Sequence, residues 1–88
     1  MRHATPSALD DLGDLLASLR SLPGLTEKNR GTFYRRSKAF LHFHEDPAGL
    51  FADVRFTDDF ERLRVSTKAE RAALLRRVKS ALTATGVP

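Results

Sequence analysis

No cysteine occurs among the 88 residues, so neither a disulfide framework nor a thiolate zinc site is available, and any metal would rely on imidazole and carboxylate ligands. No run of apolar residues approaches the length needed to cross a bilayer, and the N-terminal MRHATPSALDD lacks the apolar stretch of a secretory signal. The expectation is a cytoplasmic protein without membrane contact. Low-complexity tracts and internal repeats are also missing. What remains is 41% hydrophobic and 30% charged, an ordinary globular balance, in a chain short enough that it buries only about 60–65% of its unfolded surface. One domain over residues 1–88, with an ordered core at about 6–84, is the natural reading. The net charge of +4 permits a polyanionic partner without requiring one. Basic and acidic blocks alternate, with 27–38 and 60–88 basic and 39–59 acidic.

Thr5-Pro6 reads as an N-cap followed by proline at the first helical position. Leu9, Leu12, Leu15, Leu16, Leu19 and Leu22 then recur at helical spacing, and Leu22-Pro23-Gly24 ends the element. Gly13 weakens its middle. Thr67-Lys68-Ala69-Glu70 has capping-box spacing and opens a second helix, with Leu74, Leu75, Val78, Ala81 and Leu82 as its apolar stripe up to about Gly86. Between the helices, residues 32–36, 39–44, 50–56 and 60–65 are rich in aromatic and β-branched side chains. Their connections are too short for crossover helices. The predicted fold is therefore two-layer α+β, a four-stranded antiparallel meander with N- and C-terminal helices in the order α-β-β-β-β-α.

Asp46-Pro47-Ala48-Gly49 matches a type I turn position by position. A symmetric loop there sets His44 opposite Phe51, His42 opposite Asp53 and Phe40 opposite Arg55, and it gathers Leu41, Phe43, Ala52 and Val54 on the other face. Closing the next hairpin around Asp58-Asp59 pairs Val54 with Leu63 and Asp53 with Arg64, and it sets Arg55 beside Arg62, an unfavourable like-charge pair. A turn at Ser37-Lys38 adds Phe33 and Arg35 to the mixed face and turns Tyr34 inward.

With the helices covering the apolar side, the predicted binding face holds Phe33, Arg35, Phe40, His42, His44, Phe51, Asp53, Arg55, Arg62 and Arg64. Exposed rings among arginines suit a protein partner, including a second copy of the chain, or nucleic acid, whose bases stack on rings while guanidinium groups meet phosphates. The leading expectation is a non-enzymatic binding or interaction module with no cofactor. His42 and His44, two apart on a strand, with Asp53 opposite, form an alternative metal set for a hydrolase, although Arg64 beside Asp53 would repel a cation. A nucleophilic triad lacks its nucleophile, since Ser37 and Ser66 lie at strand ends.

The stretch Thr32-Phe33-Tyr34-Arg35-Arg36, through His42-Phe43-His44-Glu45-Asp46, to Ala52-Asp53-Val54-Arg55 resembles small uncharacterised bacterial proteins. The leucine-rich helix ending in Leu22-Pro23-Gly24 ahead of an antiparallel sheet is similar, over about residues 15–45, to MmcQ/YjbR-like α+β domains, which are associated with DNA binding. That similarity implies an α+β fold, and no site residue is carried over from it.

Overall fold

A computed structural model describes residues 2–84. Its elements are β1 (Arg2–His3), α1 (Pro6–Asp11), α2 (Gly13–Arg20), β2 (Thr26–Asn29), β3 (Thr32–Arg35), β4 (Lys38–Asp46), β5 (Gly49–Val54), β6 (Glu61–Arg64) and α3 (Lys68–Ala84). Thr5 caps α1 as its position before proline predicts, its hydroxyl accepting from the Ala8 amide at 3.3 Å. The expected single leucine helix is broken at Leu12, whose backbone (φ −91, ψ 11) leaves the helical region just before Gly13. Both halves still aim leucines inward. The capping box forms as read: the Glu70 amide donates to the Thr67 hydroxyl at 3.1 Å and the Thr67 amide donates to the Glu70 carboxylate at 3.0 Å. The expected helix end near Gly86 lies outside the described residues.

The sheet is antiparallel, in the order β2-β3-β4-β5-β6, with β1 pairing β4 at Glu45 and His44, beyond the end of β3. The α+β fold and the meander are as predicted, but among the described residues there are six strands rather than four. The two additions carry little local signal. β2 is the polar edge segment Thr26-Glu27-Lys28-Asn29, and β1 has two residues. Helices and sheet share one core in which Leu12, Leu16, Leu19, Phe33, Leu41, Val54, Val65, Leu74 and Val78 are all sealed from solvent. Gly31 permits the β2–β3 turn to lie against α1: it holds φ +81, and a Cβ there would sit 2.7 Å from a Leu9 methyl.

The β4–β5 hairpin has the predicted register, with His42 opposite Asp53 and His44 opposite Phe51. Its turn is closed by the Ala48 amide donating to the Asp46 carboxylate at 2.7 Å. The β5–β6 pairing is offset by two residues from the expected closure: Asp53 faces Arg62, Ala52 faces Leu63, and Phe51 faces Arg64. A two-residue slip keeps every side chain on its own face, so the apolar pattern is indifferent to it. Charge decides instead, because the observed register separates Arg55 from Arg62 and gives Arg62 a carboxylate.

The first hairpin requires a larger correction. Its turn is at Arg36-Ser37, both left-handed (φ 54 and 68), one residue earlier than expected, and Phe40 forms a bulge so that Phe33 pairs with Leu41. Two successive left-handed residues match the strand twist, although each costs about 1–2 kcal/mol when it is not glycine. The shift exchanges the faces of β3. Phe33 is completely buried, Phe40 is 3% exposed, and the Arg35 guanidinium donates toward the Ala81 carbonyl of α3. Tyr34 turns outward instead, beneath the Lys28 ammonium at 4.5 Å from its ring centre.

Candidate functional site

Alternation along β4 puts His42 and His44 on the open face of the sheet. β1 adds a third imidazole, because pairing His3 with His44 brings its ring onto the same face. The segment is held by the Ala4 amide donating to the Phe43 carbonyl at 3.1 Å and by the Thr5 amide donating to the Glu45 carboxylate at 2.6 Å. The His3 and His44 rings stack at 4.8 Å between centres, and the His42 and His44 rings meet edge to face at 4.7 Å. One ring nitrogen from each of the three lies within 4.8 Å of the others, the one such grouping of potential metal ligands among the described residues.

Beneath these rings Asp53 is 8% exposed and gripped at both oxygens by Arg62, whose Nε and Nη2 donate at 2.7 and 2.8 Å. That paired hydrogen bond holds the Asp53 carboxyl below the usual carboxylate range. Its Oδ2 also lies 3.2 Å from His44 Nε2. The same His44 nitrogen is 2.8 Å from His42 Nδ1, so one of this pair of ring nitrogens carries the shared proton. Burial, and for His42 the neighbouring His44, push both imidazoles toward the neutral form, with Asp53 opposing. Neutral imidazole is the metal-binding form.

Of the ten residues expected on this face, His42, His44, Asp53 and Arg62 come together in one network. Phe51 stands opposite His44 and is partly covered. Arg64 points away to Glu70, at 3.0 and 3.1 Å, so the partner of Asp53 is Arg62. Arg55 donates through Nε to the Ala39 carbonyl at 3.0 Å and covers the Phe60 ring at 4.9 Å. Phe33, Arg35 and Phe40 belong to the core or its helix side, so the expected surface of Phe33, Phe40 and Phe51 does not form. Two members escaped the sequence reading. His3 precedes the capped helix and has no local signal, since only the β1–β4 pairing brings it in. Phe60, 43% exposed, flanks His42 at 5.2 Å between ring centres.

No protein-family model matches the chain, and no curated protein or solved structure shows significant similarity to it.

Proposed function

We propose that this chain is a non-enzymatic binding module whose ligand is a divalent transition-metal ion held by His3, His42 and His44. The observation that carries this reading is the convergence of three imidazole nitrogens, from two strands, on one face. Tetrahedral bonds of about 2.0–2.1 Å place ligand nitrogens about 3.3 Å apart, so modest ring rotations suffice, and His3 sits on an exposed two-residue strand that can supply them. An all-imidazole set suits zinc, copper or nickel rather than magnesium or calcium. Asp53, ionised and adjacent to His44, attracts a cation, and the Arg62 guanidinium that fixes its position offsets part of that charge.

Binding moves the proton shared by His42 and His44 to another ring nitrogen, and because protonation of either imidazole competes with the metal, affinity falls as pH drops. The earlier expectation of an aromatic and basic docking face, for a second copy or for nucleic acid, loses two of its three phenylalanines to the core. Calorimetric titration with zinc chloride tests the proposal. The expected result is one ion per chain, with affinity lowered more than tenfold by His3→Ala, a substitution at an exposed position that leaves the fold intact. Equal zinc affinity in the wild type and His3→Ala would overturn it.

A further inference from the structure

At the end of the sheet opposite the Asp46–Gly49 turn, the β3–β4 turn and the segment after β5 enclose an open cleft of about 280 Å³. Among the described residues its walls carry four cations, Arg35, Arg36, Lys38 and Arg55, and one carboxylate, Asp58, with Phe56 among the apolar residues. Arg35 and Arg55 are anchored by backbone carbonyls of α3 and β4, which fixes the inner guanidinium groups in place. Neither Arg36 nor Lys38 meets a carboxylate among the described residues, and both are exposed at the mouth.

The turn that presents Arg36 is unusual. Both its central residues are left-handed, a conformation for which Asn-Gly is the ordinary choice, yet the sequence has Arg-Ser. Backbone strain of this kind persists only where the surrounding structure enforces it, and it clusters at ligand-binding sites. We propose that the cleft binds the phosphate group of a small phosphorylated ligand, with Arg36 and Lys38 closing over an anion seated between Arg35 and Arg55. Guanidinium groups match phosphate oxygens in pairs, and a lysine adds a point charge. All four cations line the one cleft, which favours a compact multiply charged group over an extended nucleic-acid strand. This site shares no residue with the three histidines, which it neighbours through the Arg55–Phe60 and Phe60–His42 contacts.

The test is amide NMR of the full chain at low salt during titration with inorganic pyrophosphate, adenosine 5′-monophosphate or a deoxythymidine oligonucleotide. Pyrophosphate is expected to shift the amides of residues 36–38 and 57–58 saturably. Tighter binding of the nucleotide marks a nucleoside phosphate as the source, and equal binding marks the phosphate alone; both support the proposal. Arg36→Gly, which suits the left-handed backbone and therefore does not lower the thermal midpoint, is expected to weaken pyrophosphate about tenfold or more. Lys38→Gln is expected to weaken it as well. Three results overturn the proposal: no saturable shift, unchanged affinity in Arg36→Gly, or binding of the oligonucleotide alone.

Discussion

Replacing Phe33 measures directly whether β3 faces inward. The ring is fully buried, paired across the sheet with Leu41 and packed in the core that α1, α2 and α3 cover. Phenylalanine buries about 150–250 Å², which at about 25 cal/mol per Å² gives about 4–6 kcal/mol, in line with the 3–5 kcal/mol typical of phenylalanine-to-alanine changes in cores. A domain of this size has about 4–13 kcal/mol in total, so Phe33→Ala approaches the whole stability. Phe33→Leu keeps most of the volume and is expected to cost about 1 kcal/mol, lowering the thermal midpoint by about 4–8 °C. Urea unfolding followed by circular dichroism, with the slope checked for constancy, supplies both values. Had the turn been at Ser37-Lys38, Phe33 would lie on the open face and either change would cost well under 1 kcal/mol. A Phe33→Ala loss below about 1 kcal/mol would therefore refute the register described for β3.

Gly31→Ala is expected to lose about 1–3 kcal/mol, since its methyl meets Leu9 at 2.7 Å on a backbone held at φ +81, whereas Gly13→Ala has open space and gains about 0.5–1 kcal/mol; paired urea melts check both signs. Acidification is expected to destabilise the fold. His42 and His44 are held below 6.5, so below that value the unfolded chain takes up more protons than the folded one and stability falls until the folded values are passed. Asp53, held below 3.8 by Arg62, adds a second loss at lower pH. A urea midpoint that stays level or rises between about pH 7.5 and about pH 5.5 contradicts this assignment.

Features written in neighbouring residues were legible. The Thr67–Glu70 capping box and the Asp46–Gly49 turn depend on side chains within four positions of one another, and both form as read. From that turn the His42–Asp53 pairing followed. The Arg36-Ser37 turn was not legible, because neither residue advertises a left-handed backbone, and a one-residue error there sent Phe33, Arg35 and Phe40 to the wrong face. The β5–β6 offset lies between these cases. Both closures keep Leu63 on the apolar face, but the clash of Arg55 with Arg62 in one of them was a readable sign that the other would form. His3 joins the site through a contact some forty positions away in the chain, and nothing beside it in the sequence announces that.

The central claim is that three imidazoles converge to hold one metal ion. Nitrogen-15 NMR of the histidine rings during zinc addition tests it most directly, because each ring reports its own coordination. The account predicts that the rings of His3, His42 and His44 all shift in step and saturate at one equivalent, while the amides of β5 keep their sheet positions. Shifts confined to one or two rings, or no saturation at one equivalent, would contradict it.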